Sequence, residues 1–162
     1  MPNPMSLALH ELERFVAGLA STPERWRHHV RPANGARVYE QIWEDEDVNA
    51  WIICWSVDHD TGFHDHGQSA AGIAVISGHI REERLRIGGR PLGRVIGAGS
   101  TLTVPPIAIH RVLHAGESPS VTLHAYSPPL TTTGAYRIGP GGELQRESLS
   151  CQEELRAATA LG

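Results

Sequence analysis

The chain is poor in the features that mark several protein classes. Its 162 residues include two cysteines, Cys54 and Cys151, which can form at most one disulfide bond. This excludes a small scaffold held together by disulfides. No run approaches the ~20 apolar residues that a membrane-spanning helix needs. Charged residues at Glu11, Glu13 and Arg14 occupy the region where a signal peptide has its apolar core. We therefore expect a cytoplasmic protein without a membrane partner.

Positive charge is also scarce. Lysine and arginine together number 14 against 18 aspartate and glutamate residues, and the formal net charge is −4. Proteins that bind nucleic acid neutralise phosphates with clustered basic side chains, and this chain has no basic run. We expect no nucleic-acid partner. A content of 40% hydrophobic and 20% charged residues is typical of a folded domain. The length predicts one domain over residues 1–162, as a monomer or a small homo-oligomer.

The N-terminal part of the chain has helical periodicity. Between Ser6 and Ala20, apolar residues recur at steps of three and four, at Leu9, Leu12, Phe15, Val16 and Leu19. This spacing predicts an amphipathic helix that Ser6 caps. A second short helix is expected between residues 21 and 32. Residues 1–32 are thus predicted to form a helical cap.

Short apolar runs separated by Gly, Pro, Asp and Ser begin at about residue 37. This pattern is typical of a small antiparallel β-barrel or jelly roll. The candidate strands are 37–44, 49–57, 63–67, 70–77, 79–87, 93–96, 100–104, 109–114, 120–126 and 135–139. We predict an all-β fold, with the barrel at residues 37–149 and a C-terminal tail of weak helical character at 150–162.

Three of the ten histidines have the spacing of a metal site. His64 and His66 are two residues apart, so on a strand both side chains point to the same face. His110 is able to join them from a neighbouring strand, with His114 as its rival. Three imidazoles without a carboxylate leave a divalent ion its full charge and open positions for anionic ligands such as thiolates. Ni, Co, Zn and Fe all accept such a set, so the residues alone leave the metal open.

A second group of polar residues is also spaced by two. Thr122, His124 and Tyr126 would face one side of a strand and could form a hydrogen-bond chain from hydroxyl to imidazole to phenol. The alternative is that they are inward barrel residues whose polar tips have found other partners.

The three histidines lie in two runs that resemble the signature motifs of the cupin superfamily. The first run contains Gly62, His64, His66 and Gly78, and the second contains Gly99, Pro105 and His110. A glutamate normally follows the first two histidines, and here Ala70 and Ala71 stand in its place. Ile107 replaces a glycine of the second motif. The resemblance therefore implies a cupin metal site with the carboxylate deleted.

Two longer runs narrow the resemblance to one family. His-Asp-His-Gly-Gln-Ser-Ala-Ala at residues 64–71 and Thr-Leu-His-Ala-Tyr-Ser-Pro-Pro at residues 122–129 resemble the cysteine dioxygenase family of thiol dioxygenases, over about residues 37–130. The resemblance implies an Fe(II) enzyme that oxidises a small thiol to its sulfinic acid with both atoms of O₂. It also implies that His64, His66 and His110 are the iron ligands. Tyr126, His124 and Thr122 would form a hydrogen-bonded relay that does not bind the metal directly.

The chain departs from the animal-type pattern at two positions. Ala71 stands where that pattern has a cysteine crosslinked to the active-site tyrosine, so Tyr126 is expected to be unmodified, as in a bacterial type. Gln41 stands where an arginine binds the substrate carboxylate, and Arg37 or Arg111 is an alternative partner. Glutamine offers only neutral hydrogen bonds, whereas arginine forms a charged fork. Cysteine, 3-mercaptopropionate and an ergothioneine-type thione therefore all remain candidate substrates.

Two other functions fit the residues less well. A non-catalytic cupin would bind metal and sense a ligand without turnover. Another cupin dioxygenase or isomerase would act on a carbon substrate, but such sites more often keep the glutamate that this chain lacks.

Overall fold

The computed structural model describes residues 6–150, which form one helix and eleven strands. The helix α1 is Leu9–Ala20, and two single-turn 3₁₀ helices follow at Pro23–Arg25 and Arg27–His29. The strands are β1 (Val38–Glu44), β2 (Asn49–Trp55), β3 (His64–Asp65), β4 (Ala70–Ser77), β5 (His79–Arg84), β6 (Leu92–Gly97), β7 (Thr101–Val104), β8 (His110–Ala115), β9 (Ser120–Ser127), β10 (Thr132–Ile138) and β11 (Leu144–Ser150). None of the helices in this part of the chain is long and apolar enough to cross a membrane.

The strands form two antiparallel sheets that enclose one core. The five-stranded sheet has the order β1-β2-β9-β4-β7, and the six-stranded sheet has the order β11-β10-β3-β8-β5-β6. Trp55 and Ile73 of the first sheet pack in one cluster with Ile80 and Val112 of the second. The prediction of an all-β jelly roll with an N-terminal helix is therefore confirmed. The extent of the domain over residues 1–162 stays a prediction.

The five-stranded sheet is covered on both faces, and strand β2 shows how. Ala50, Ile52 and Cys54 pack in the cluster that contains the buried side of α1, whereas Trp51 and Ile53 point into the core between the sheets. Because side chains alternate along a strand, a strand between two cores is apolar at every position. This explains why all seven residues of β2 are buried.

Helix α1 lies directly on strand β4. The side chains of Leu12 and Val16 are fully buried beneath it. A Cβ atom built at Gly72 would lie 3.1 Å from the carbonyl oxygen of Leu12, so the helix backbone approaches the sheet where β4 lacks a side chain. The predicted cap at Ser6 is wrong. Ala8 is the N-cap residue, and the Glu11 carboxylate accepts a hydrogen bond from its backbone N–H at 2.8 Å.

Three other predictions differ from the structure. The strand predicted at 63–67 is only two residues long, because Gly67 turns the chain with a φ of 61°. The strand predicted at 79–87 ends at Arg84. Strand β11 was not predicted, because its sequence Leu-Gln-Arg-Glu-Ser-Leu-Ser is mostly polar and exposed. Almost all of the predicted C-terminal tail, residues 151–162, lies outside the described residues.

The packing of α1 predicts a difference between two leucines of the same helix. Leu12→Ala is expected to lower the free energy of unfolding by about 2–5 kcal/mol, because it leaves a cavity against β4. Leu9 is 38% exposed, and Leu9→Ala is expected to change it by about 0.5 kcal/mol or less. Urea titration of both variants measures the difference. Equal losses would show that α1 is not packed as described.

Candidate metal centre

The three predicted histidines come together between strands β3 and β8. His64 and His110 are direct cross-strand partners, and His66 lies in the turn that follows β3. All three side chains are buried. The Nε2 atom of His66 lies 3.1 Å from that of His64 and 3.3 Å from that of His110. One histidine on β3, one in the turn that follows it and one on β8 thus produce a single cluster of nitrogen atoms.

This cluster has the dimensions of a metal site. A metal–nitrogen distance of about 2.1 Å places two ligand nitrogens about 3.0–3.4 Å apart at angles between 90° and 109°. The observed separations of 3.1 and 3.3 Å fall in this range. Within residues 6–150, His64, His66 and His110 form the group of three side chains that could hold a metal ion. The donors therefore fit a divalent cation.

Hydrogen bonds behind two of the rings orient them. Nδ1 of His64 donates to the carbonyl oxygen of Gly62 at 2.9 Å, and Nδ1 of His110 donates to Oε2 of Glu82 at 2.8 Å. With the proton held on Nδ1, each ring presents its Nε2 lone pair to the centre of the cluster. These bonds select the tautomer that a metal requires.

The surroundings also keep two of the imidazoles, those of His66 and His110, neutral. Burial lowers the pKa of His66 well below its ordinary value, and the neighbouring imidazoles His110 and His64 lower it further. Burial likewise lowers the pKa of His110, with His64 and then Arg84 as further causes. Only a neutral imidazole can bind a metal, so both residues are in the binding form at neutral pH.

Sequence reasoning missed the carboxylate of Glu82. Its side chain is 1% exposed and lies on β5, directly behind His110. Oε1 of the same carboxylate accepts hydrogen bonds from Arg84 at 3.0 Å and from Arg94 at 3.2 Å. The available signal was a glutamate two residues after Ile80, where strand alternation predicts another inward side chain.

A second carboxylate holds the segment that carries His64 and His66. Asp65 accepts hydrogen bonds from both Nε and Nη2 of Arg146 on β11, and from the Tyr136 hydroxyl on β10. Burial raises the pKa of Asp65, but these hydrogen bonds outweigh it and hold the pKa well below its ordinary value. Asp65 is therefore ionised and connects the β10–β11 hairpin to the metal cluster.

The predicted relay residues lie on the inner face of β9. Thr122 Oγ1 is 2.8 Å from Nε2 of His124, and the indole N–H of Trp55 donates to the same hydroxyl oxygen at 2.9 Å. Burial, and then the charge of Arg37, lower the pKa of His124 to about 3. A neutral imidazole can accept the hydroxyl proton at Nε2, so the Trp55–Thr122–His124 chain runs in one direction.

The Tyr126 ring lies beside the metal cluster. Its centroid is 5.0 Å from that of His66 and 6.5 Å from that of His124. Ala71 on β4 is the direct cross-strand partner of Tyr126. A cysteine at that position would therefore place sulfur next to the phenol ring, and alanine does not. Cys54, the free cysteine among residues 6–150, packs in the other core with α1.

One cavity brings the cluster and the relay together. Its lining includes Arg37, His64, His110, His124 and Tyr126. The Arg37 side chain is 5% exposed, and its guanidinium lies 5.1 Å from the ring centroid of Trp55. The lining of the cavity thus combines a positively charged guanidinium with two histidines of the cluster.

The other two predicted substrate-binding residues are not in this lining. Gln41 is exposed on β1. Arg111 follows His110 on β8 and points away from it, because adjacent side chains of a strand face opposite sides. Its guanidinium forms ion pairs with Glu83 at 3.0 Å and with Asp60 at 3.5 Å. The structure therefore does not bring Arg111 to the site.

The rival metal ligand His114 also lies apart from the cluster, and its Nε2 atom is 2.6 Å from the Ser118 carbonyl oxygen.

Comparison with known proteins identifies related sequences. Residues 6–138 match the family described as Cysteine dioxygenase type I. The chain is 24% identical over 135 residues to cysteine dioxygenase type 1 of Danio rerio, covering 76% of this chain and 67% of the relative. It is 29% identical over 139 residues to the Rattus norvegicus enzyme of the same name, covering 79% of this chain and 69% of the relative.

Solved structures share the fold at lower identity. A conserved Klebsiella pneumoniae protein with a double-stranded β-helix domain superimposes with a TM-score of 0.55 at 20% identity, over 63% of this chain and 80% of the other. An RmlC-like cupin from Methanocaldococcus jannaschii superimposes with a TM-score of 0.50 at 13% identity, over 61% and 86%. These similarities confirm the predicted cupin fold.

The low pKa of His124 predicts how stability depends on pH. Below pH 6.5 the unfolded chain protonates this imidazole while the folded chain does not, so the free energy of unfolding falls as pH falls. In the metal-free protein, His124→Gln is expected to reduce this slope by about 1.4 kcal/mol per pH unit between pH 6 and 4. Urea titrations at several pH values measure the slope. The control His79→Gln removes an exposed imidazole, and this variant is expected to have the same slope as wild type. The same slope in wild type and His124→Gln would contradict a neutral, buried His124.

Proposed function

The chain belongs to the cysteine dioxygenase family of cupin thiol dioxygenases, and from this premise we propose that it uses one Fe(II) ion to oxidise a small anionic thiol to its sulfinic acid. The overall reaction is RSH + O₂ → RSO₂H, in which both oxygen atoms enter the product and sulfur is the atom oxidised. The observation that carries this proposal is the convergence of three buried imidazoles beside a buried arginine and a phenol.

We assign metal binding to His64, His66 and His110, whose nitrogens have the separations that a divalent ion requires. Bound Fe(II) would supply the redox chemistry that joins O₂ to sulfur. Among residues 6–150, the cluster consists of three imidazole donors and includes no carboxylate. An all-neutral donor set favours an anionic partner such as a thiolate, because it leaves the charge of the cation uncompensated.

The substrate anion is best placed against Arg37. This guanidinium lines the cavity together with His64 and His110 and is buried, so a carboxylate beside it would form a contact little weakened by water. Gln41 is exposed and Arg111 is paired elsewhere. The proposed substrate class is therefore a short thiol that also carries a carboxylate, such as cysteine or 3-mercaptopropionate. A larger thione of the ergothioneine type is the alternative for the experiment to decide.

The relay residues are proposed to position groups rather than to store a proton. With a pKa of about 3, His124 does not hold a second proton at neutral pH, so it is not the base that deprotonates the thiol. Its hydrogen bond with Thr122, which Trp55 anchors, instead fixes the ring, whose centroid lies 6.5 Å from that of Tyr126. Tyr126 is proposed to donate a hydrogen bond from its phenol to the oxygen or to the substrate. It is proposed to carry no crosslink, because its cross-strand partner Ala71 has no sulfur.

Oxygen consumption with a panel of thiols tests the proposed reaction. After anaerobic loading with Fe(II), the protein is expected to consume one O₂ per sulfinate formed from a carboxylate-bearing thiol. His66→Ala is expected to abolish this activity, whereas His114→Ala removes a histidine outside the cluster and is expected to retain it. Metal binding without oxygen uptake for any thiol would instead support the non-catalytic, ligand-sensing cupin.

The role of Arg37 predicts a change in substrate preference. Arg37→Gln removes a charged hydrogen-bond partner worth about 1.5–3 kcal/mol, so kcat/KM for carboxylate-bearing thiols is expected to fall about 10- to 100-fold. For cysteamine, which has no carboxylate, it is expected to stay within about 3-fold of wild type. Arg111→Gln is the matched control and is expected to alter neither rate. A parallel loss for both kinds of thiol would contradict the assignment of Arg37 to the carboxylate.

A further inference from the structure

Glu82 accepts a hydrogen bond from Nδ1 of His110, the ring nitrogen that faces away from the three-histidine cluster. We propose that Glu82 is a positioning residue: its carboxylate sets the orientation and donor strength of His110, and thereby the affinity of the three-histidine site for metal. This inference rests on the metal site of the proposed function, but it does not depend on the identity of the thiol.

The geometry of the pair is specific. Oε2 of Glu82 lies 2.8 Å from Nδ1 of His110, on the side of the ring opposite Nε2. Both side chains are 1% exposed, so water does not compete for this hydrogen bond. A carboxylate bound to the distal N–H of a ligand imidazole fixes the ring and increases the electron density on its donor nitrogen. The buried glutamate therefore acts on the metal through the ring.

Two arginines account for the burial of this negative charge. Arg84 and Arg94 bind Oε1, whereas Oε2 accepts the hydrogen bond from His110. Arg84 also donates to the carbonyl oxygen of Thr103, so its guanidinium is held from two directions. A buried carboxylate is costly unless such partners satisfy it. The arginines thus bind one oxygen of the Glu82 carboxylate and hold the other directed at the ring.

The adjacent residue offers a close control. Glu83 also contacts two arginines, Arg81 at 3.3 Å and Arg111 at 3.0 Å. It lies one position along β5 and therefore points to the opposite face of the sheet. Glu82 and Glu83 are thus the same residue type on the same strand, and each has two arginine partners of its own. They differ in the hydrogen bond to a ligand histidine.

Titration of the metal-free protein with Co²⁺ tests the proposal without any turnover. Glu82→Gln keeps the size of the side chain and removes its charge, and it is expected to weaken Co²⁺ binding about 10- to 100-fold. The visible spectrum of bound Co²⁺ is also expected to change, because the ligand field of His110 changes. Glu83→Gln is expected to match wild type in both measurements. Thermal unfolding of the metal-free variants shows whether each is folded.

The outcomes separate this inference from the proposed function. Failure of wild type to bind Co²⁺ would overturn both. Normal wild-type binding with equal affinities for Glu82→Gln and Glu83→Gln would overturn the role of Glu82 alone. If Glu82→Gln does not fold, Glu82→Asp keeps the charge for the arginines but withdraws the carboxylate from the ring by one methylene. It is expected to bind Co²⁺ several-fold more weakly than wild type, and wild-type affinity would overturn the proposal.

Discussion

The site depends on three imidazole nitrogens being held against one another inside the protein. The Nε2 atoms of three buried rings lie 3.1 and 3.3 Å apart, and a cation bound between them would stabilise this close approach. The cross-strand pairing of His64 with His110 and the turn at Gly67 enforce the approach. The cavity, the relay strand and the buried arginine are all arranged around this point.

Negative charge is absent from the donor set but present just outside it. Glu82 binds the distal nitrogen of His110, and Asp65 connects the segment of the other two histidines to Arg146. Each carboxylate is compensated by arginine, so neither cancels the charge that a metal would bring. A metal held in this centre would attract an anion, and Arg37 in the lining of the same cavity would add a second attraction. This distribution of charge is suited to a small molecule with two anionic groups.

Local patterns in the sequence predicted the fold class and most of the site. Spacing by two placed Thr122 beside His124, because a strand repeats with that period. It also indicated that His64 and His66 lie together, although His66 lies in the turn just after β3 rather than on the strand. Glu82 could not be assigned in the same way, since its contact with His110 depends on the register of β5 against β8. The burial of Arg37 and the exposure of Gln41 likewise needed the structure, because the two residues lie close together at the start of the barrel. Strand β11 lacked the alternating apolar residues that predict a strand.

The central claim is that two atoms from one O₂ molecule join one sulfur atom at this centre. Turnover under a mixture of ¹⁶O₂ and ¹⁸O₂, followed by mass spectrometry of the sulfinate, tests it most directly. The account predicts sulfinate that carries either two ¹⁸O atoms or none, because both oxygens come from the same molecule. Sulfinate with a single ¹⁸O as the main labelled product would contradict it, since one oxygen would then come from water or from a second O₂.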